Sequence, residues 1–376
     1  MVPQAISPRG HLVFRFSKSK GLEGPTIAPQ YIGRCICVGQ TLSTLQVMAH
    51  TQNVKLSLMN TRYYLQLAKG ITPATQRRVL RYLADQALNL PDFFGLPPSD
   101  WRCAGLTTKQ VNALVAAEAQ ATKWERELKA RRIKVFGWLD TIYPKRFKQV
   151  GQAPPILCTW GNLELLSGPA IGFSGARLAS FQGRQMTKDT VQQITQRGFP
   201  VVSGHARGID LTAHHTALLH NGATIIVPVE GILNFRLHRE LKPLVRSENV
   251  LILSQFLPDA EWSSANAMMR NRTICALSDA LVAVEAGLKG GTFATAHFAS
   301  RMKIPLFVPD YAQPSASALG NRYFIRRGAV PLRRNRKTGR AHLIRLFNQV
   351  ISHYLNLDKP KPPRPIQLPL FALPAA

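Results

Sequence analysis

Gly204 and Gly208 flank His205, Ala206 and Arg207 within VVSGHARGIDLTAHHTA, residues 201–217. Val201 and Val202 read as a short strand ending at Ser203, and the chain from Ile209 onward reads as a helix. The small residues Gly204, Ala206 and Gly208 let backbone N–H groups converge on one point, and a helix start adds its unpaired amides and the positive end of its dipole. A turn of this kind binds anions, phosphate above all. Arg207 adds a forked, charge-assisted donor, and Asp210 falls in the first helical turn, where a carboxylate suits the dipole. The same glycines also serve tight strand-to-helix packing, which is the alternative reading of this turn taken alone.

Further turns of the same character tell against packing alone, and the elements that position them are legible. From Pro169 short apolar runs at 169–174, 200–203, 224–229, 250–254, 280–285, 305–308 and 329–332 alternate with helical stretches. Continuous apolar strands of this length suit a sheet covered on both faces. The expected fold is α/β: a Rossmann-like, doubly wound, mostly parallel sheet with a small helical N-terminal module. In such a sheet ligands bind beyond the carboxyl ends of the strands. Ser174, Gly175, Ala176 and Arg177 follow the first strand, Ser203 to Asp210 the second, and Glu285, Ala286, Gly287, Lys289, Gly290, Gly291 and Thr292 the fifth. Arg270, Asn271 and Arg272, read as a helix start, and Gly320, Asn321 and Arg322 complete the set. His214 and His215 read as packing or capping residues, Asp279 as a turn residue, and Glu285 as an orienter of nearby loop amides.

Charge names the class of anion. The 376 residues carry 48 Lys and Arg against 20 Asp and Glu, a net charge of +28, with a pI near 10.7. A polyanion is the expected partner. No amphipathic helix with an apolar anchoring face adjoins a lysine cluster, so nucleic acid is favoured over an acidic membrane. No apolar run reaches the length of a membrane span and the N-terminus has no signal-peptide pattern, so cytoplasmic residence without membrane insertion is expected. The cysteines (Cys35, Cys37, Cys103, Cys158 and Cys275) lack the paired spacing of zinc ligands and read as reduced and structural. No cofactor is expected.

Residues 1–48 show no sustained period and stay unassigned, apart from a strand around Tyr31–Val38. Residues 49–132 form the small helical module: a helical pattern from Asn60 to Gly70, a second helix capped by Thr72 with Pro73 at its first position, and a longer helix capped by Thr107 and running through Leu128. Val79, Leu80, Leu83, Ala84, Ala87 and Leu88 form the apolar stripe of the second. Residues 133–335 form the Rossmann-like DNA-binding domain, its core beginning at 169, with strands at Ile133–Trp138 and Ile156–Trp160 leading in. Residues 336–358 hold a basic arm and a C-terminal helix with Leu343, Ile344, Phe347, Val350, Ile351 and Tyr354 at helical spacing. Residues 359–376 form a Pro-rich linker and a terminal peptide.

Segment 169–332 resembles the DNA-processing protein A (Smf) family. It carries the Gly-x-Ser-Gly-Ala-Arg turn after the first strand, SGHARGIDLTAHHTAL, RNRTICALSDALVAVEA, GGTFATAHFA and GNRYFIRRGA in order. The lead-in IKVFGWLDTIYPKRFKQVGQAPPILCTWGNLELL is similar as well, so the likeness spans roughly residues 60–335. Three departures stand out. His205 occupies a usually apolar position, the loop Glu230–His238 lacks a Tyr-Pro pair, and Pro309–Asp310 replaces Pro-Gly. The resemblance implies single-stranded-DNA binding, presentation of that DNA to the RecA recombinase as in natural transformation, and a homodimer. It implies DNA-phosphate contacts at Arg177, Ser203 to Gly208, Arg270, Arg272 and Gly290 to Thr292. Plasmid establishment and phage defence would use the same chemistry.

Two enzymatic readings compete. Related Rossmann-like phosphoribohydrolases use a glutamate just after a glycine-rich loop, but Gly290, Gly291 and Thr292 are followed by Phe293, Ala294, Thr295, Ala296 and His297, which supply no such base. A serine-hydrolase elbow at Gly172–Ala176 is broken by Ala176 and lacks an ordered Asp and His. The expectation is therefore a binding protein and not an enzyme. At the tail, Gln367, Leu368, Pro369, Leu370 and Phe371 resemble the Gln-Leu-x-Leu-Phe peptide that binds the bacterial sliding clamp. Leu370 and Phe371 would be its apolar anchors, beyond a Pro-rich linker that holds them away from the body.

Overall fold

The computed structural model describes residues 70–357, apart from 89, 138–139 and 149–152. The expected strand at Tyr31–Val38, the helical pattern from Asn60, Cys35, Cys37, the Pro-rich linker and the peptide Gln367–Phe371 lie outside the described residues.

The helical module begins as its caps dictate. Thr72 accepts the Thr75 N–H at 3.2 Å and Pro73 opens α1 (Pro73–Asp85). Val79, Leu80 and Leu83 turn inward, but the helix stops before Ala87, whose φ of 51° no helix accommodates, so Ala87 and Leu88 do not extend its stripe. The proline-punctuated segment forms a short α2 (Leu90–Gly95). Thr107 and Gln110 make a reciprocal capping box for α3 (Thr108–Ala116). The single longer helix expected through Leu128 is two helices, because the chain breaks at Ala117 before α4 (Glu118–Ala130). Phe93, Phe94, Trp101 and Leu114 close the module's own core, while Trp124 and Leu128 of α4 pack instead among sheet residues such as Ile156 and Val250.

The sheet has nine strands in the order β1-β2-β6-β5-β4-β3-β7-β8-β9. They are β1 (Lys134–Gly137), β2 (Ile156–Gly161), β3 (Ile171–Ser174), β4 (Val201–Ser203), β5 (Thr224–Ile226), β6 (Val250–Ser254), β7 (Ala280–Ala283), β8 (Leu306–Pro309) and β9 (Val330–Leu332). β1 and β2 run antiparallel, and the seven-strand remainder from β6 to β9 is parallel. β5 is shorter than the apolar run 224–229. Val227 still donates to Ser203 O at 2.9 Å, but Pro228 has no N–H with which to continue the ladder.

Helices cover both faces, as a doubly wound sheet requires. On one face Val202, Ile225, Leu251 and Leu281 pack with α8 (Ser264–Ala276), α9 (Gly291–Arg301) and α10 (Asn321–Arg326). On the other, Ile171, Phe173, Val201 and Val282 meet α6 (Phe181–Thr195), α7 (Ile209–Leu219) and α11 (Ile344–Leu357). From β3 the chain winds outward through β4, β5 and β6, then crosses back to β7 beside β3 and winds the other way. The reversal opens a crevice between the carboxyl ends of β3 and β7, where ligands bind in such sheets.

At the opposite rim, Asp279 is a buried ion centre and not the turn residue its position in the sequence suggests. Its carboxylate meets Arg146 at 3.1 Å, His353 of α11 at 3.1 Å and the Ala170 N–H at 2.9 Å. Arg146, in the one-turn α5 (Lys145–Lys148), also donates to Gly168 O and Leu277 O. These contacts fix the C-terminal helix, whose Leu346 and Val350 are buried and whose Ile344, Ile351 and Leu355 face outward. Among the described residues, no helix is long and apolar enough to cross a membrane.

Candidate nucleic-acid interface

The crevice at the β3/β7 reversal is a cleft of about 420 Å³. Of the residues expected to meet phosphate, Ser174, Gly175, Arg177, Ala206, Arg270, Asn271, Lys289, Gly291 and Thr292 line it, together with Ala176, Asp210, Ala267, Met268, Glu285, Gly287 and Ser317.

Of the helices that start on this rim, α6, α7 and α9 follow the turns around the cleft, and their starts differ. At α6, Ser180 caps Gly183 N–H at 3.0 Å, while the Ser180 N–H and hydroxyl both donate to the Glu285 carboxylate. Ser315 and Ser317 donate to the same carboxylate at 3.1 and 3.0 Å. The protein's own groups fill that start. At α7, Asp210 sits in the first turn, buried, and accepts the Ala206 N–H at 3.3 Å. The start of α9 is open: its cap is Gly290 at φ 102°, with no capping side chain, and Gly291 and Thr292 face the cleft. Unpaired helix-start amides with a positive dipole end make this the strongest anion position of the three. Asn271 steadies it, its Nδ2 lying 3.4 Å from Gly291 O.

Cations surround that start. Arg177 and Lys289 are exposed at the mouth, whereas Arg270 is buried behind it. The Arg270 Nη1 lies 3.3 Å from Val227 O and 3.9 Å from the Asp210 carboxylate, and its Nε has no hydrogen-bond partner. Burial pushes the Arg270 pKa down, although Asp210 and Glu230 oppose this. Burial likewise raises the Asp210 pKa, against the pull of Arg270. Desolvation thus works against both members of a loosely joined pair, and the guanidinium is left with unused donor capacity at Nε.

The glycine turn after β4 supports the cleft from behind. The Ser203 hydroxyl donates to Phe173 O at 2.8 Å, so it joins neighbouring strands and does not face the cleft. Gly204 lies against the Arg270 guanidinium. Gly208, at φ 80°, brings its backbone against the β3 turn, where a Cβ would meet Ala176 O at 2.2 Å. His205 takes a φ of 66° and turns to the loop after β5. There its Nε2 accepts the His238 N–H at 3.1 Å and its ring meets Phe235 edge-on at 4.7 Å. Burial, then His238 and Arg270, lower its pKa to about 3. Arg207 is exposed.

Arg270, Asn271 and Arg272 are in the middle of α8 and not at its start, which Ser263 caps through Asn266 N–H at 3.0 Å. Successive helix residues diverge by about 100°, so Arg272 points away and lies over the Phe298 ring at 4.8 Å. Asn321 is also structural: it accepts the Ala286 N–H at 2.9 Å and donates to Val284 O and Pro309 O, each at 3.0 Å, pinning the exit of β7. Ala267 and Met268 are lining residues that the sequence reading missed. They lie one turn before Arg270 and Asn271, a relationship that recognising Ser263 as the cap would have exposed. Nothing local in the sequence marks Ser317. Among the described residues no group of three or more His, Cys, Asp or Glu side chains is placed to hold a metal ion.

Residues 134–340 match the family described as DNA recombination-mediator protein A. The chain is 32% identical over 174 residues to Protein Smf of Synechocystis, covering 45% of this chain and 44% of that protein. It is 32% identical over 162 residues to the DNA processing protein DprA of Streptococcus pneumoniae, covering 43% and 57%. The chain thus spans about half the length of the relatives it matches. The solved structure of the S. pneumoniae DNA processing protein A superposes with a TM-score of 0.62 at 25% identity, covering 74% of this chain and 95% of that one.

Proposed function

The chain belongs to the DNA recombination-mediator protein A family, and on that premise we propose that the β3/β7 cleft binds the phosphates of single-stranded DNA. One observation supports this above the others: the uncapped start of α9 opens onto a cleft shared with Arg177, Lys289 and Arg270. Phosphate oxygens take the Gly291 and Thr292 amides, Arg177 and Lys289 supply exposed charge, and Arg270 supplies donors from below. Leu178 and Phe181, 92% and 69% exposed just beyond Arg177, offer apolar surface on which unpaired bases rest. No catalytic step is proposed. Glu285, the carboxylate nearest the reading of a nucleotide hydrolase, is spent on four hydrogen-bond donors from Ser180, Ser315 and Ser317.

In this reading the protein presents its bound strand to the RecA recombinase, acts as a homodimer, and engages the sliding clamp through Gln367, Leu368, Leu370 and Phe371, which lie outside the described residues. The outward stripe of Ile344, Ile351 and Leu355 on α11 is an apolar surface suited to self-association. Titration of labelled single-stranded and double-stranded oligonucleotides, followed by fluorescence anisotropy, tests the central claim. The expected result is saturable, salt-sensitive binding that favours single strands. Equal affinity for both forms, or release of free base from a nucleotide, would replace this reading with general polyanion binding or with the hydrolase.

A further inference from the structure

We infer that the hairpin formed by Arg333–Ala341 is a second phosphate-binding element, and that it receives the single strand as it leaves the cleft past β8 and β9. The inference rests on the cleft reading and adds to it a direction and a footprint.

The hairpin is built and not merely a charged run. The Asn335 N–H donates to Arg340 O, the Gly339 N–H to Asn335 O and the His342 N–H to Arg333 O, at 2.8 to 3.0 Å. The Asn335 side chain accepts the Lys337 and Thr338 N–H groups at 2.8 and 3.1 Å, and Gly339 closes the turn at φ 67°. Two of its cations staple it to the body: Arg333 pairs with Asp310 at 2.8 Å and Arg340 with Asp189 at 3.1 Å. Arg334, Arg336 and Lys337 are exposed and, among the described residues, have no carboxylate within ion-pair distance. Holding three unpaired cations on one short turn costs repulsion that a polyanion relieves.

Topology starts the hairpin on the correct rim. β9 is parallel to β8 and β7, and Leu332, its carboxyl end, pairs with Pro309 at the carboxyl end of β8. The hairpin therefore leaves β9 at the same rim of the sheet as the cleft, and its return arm is tied by Arg340 to Asp189, in the third turn of α6. β9 lies two strands beyond β7, a lateral distance of roughly 10 Å at the usual inter-strand spacing. Residues 333–340 contain no apolar side chain. A protein partner would find no anchor there, whereas phosphates need none.

The test uses the full chain with Arg334→Ala, Arg336→Ala and Lys337→Ala combined, titrated against oligothymidylates of increasing length. On the shortest oligonucleotide that binds, variant and parent should agree. With length the parent should gain affinity that the variant lacks, about tenfold, and the salt slope of the variant on long strands should be smaller by about 2, the value for three phosphates on single strands. Lysines at the same positions should restore the length dependence. A variant that matches the parent at every length, or loses affinity equally at every length, overturns the inference while leaving the cleft reading in place. If the parent binds no single strand at all, both readings fall. Loss of binding to polyglutamate with unchanged DNA length dependence would make the hairpin a contact for acidic protein and also overturn the inference.

Discussion

Gly204 rests on the guanidinium of Arg270: a Cβ at Gly204 would stand 1.2 Å from Arg270 Nη1 and 2.3 Å from its Cζ. Any side chain at Gly204 would therefore meet the arginine beneath it. Gly204→Val should displace Arg270 from the cleft and weaken single-strand binding at least tenfold, with an overpacking cost of about 1–3 kcal/mol. Anisotropy and circular dichroism together check this. A folded variant with parental affinity would show that Arg270 does not serve the site.

Arg177 is exposed at the cleft mouth and should contribute charge without contributing to the fold. Arg177→Ala is expected to reduce the log-log salt slope of single-strand binding by about 0.7, the value for one phosphate, and to leave thermal stability unchanged. A salt series at fixed temperature measures the slope, and an unaltered one would remove Arg177 from the interface.

His205 is half-buried, and burial, then His238 and Arg270, lower its pKa to about 3. An unfolded histidine titrates near 6.5, so below that pH the unfolded chain takes up a proton that the folded chain refuses. Stability from this group is complete above about 6.5 and is lost as pH falls toward 3. His214, buried with a lowered pKa, acts in the same direction. His205→Leu should flatten part of the fall in melting temperature between neutral pH and pH 4. Melts of both proteins across that range decide the matter, and parallel curves would count against it.

Asp279 neutralises Arg146 within the fold and holds His353 at the rim remote from the cleft. Asp279→Ala leaves the Arg146 guanidinium buried without its carboxylate, at a cost of about 3–5 kcal/mol. Denaturant unfolding should show that loss, while the protein that remains folded keeps its affinity for single strands. A drop in affinity without a drop in stability would contradict the separation of the two rims.

The terminal peptide gives an independent prediction, motivated by the resemblance of Gln367–Phe371 to the clamp-binding peptide. A synthetic peptide spanning residues 361–376 should bind purified sliding clamp saturably, and alanine at Leu370 and Phe371 should abolish this, since those side chains are the anchors. In the full chain the same pair of changes should leave single-strand affinity unaltered. Titration calorimetry showing no saturation would end the clamp reading.

Sequence by itself determined the parallel core of the sheet, because its strands are short apolar runs whose burial on both faces is a local property of composition. It also determined the rim on which the proposed site sits, since the carboxyl ends of parallel strands are fixed once the strands are. Helix starts with a local cap, at Thr72 and Thr107, were legible for the same reason: donor and acceptor are three residues apart. Only tertiary structure decided which helix start on the rim stays open. The start of α6 is closed by Glu285, 105 residues from Ser180, and Arg270 lies beneath Gly204 through the packing of α8. Asn321 looked like a ligand contact and is a strut, and Asp279 looked like a turn residue and is an ion centre, because their partners belong to other elements. A side chain's role there is set by desolvation and by which distant donor or acceptor arrives to satisfy it, and neither is written in the local sequence.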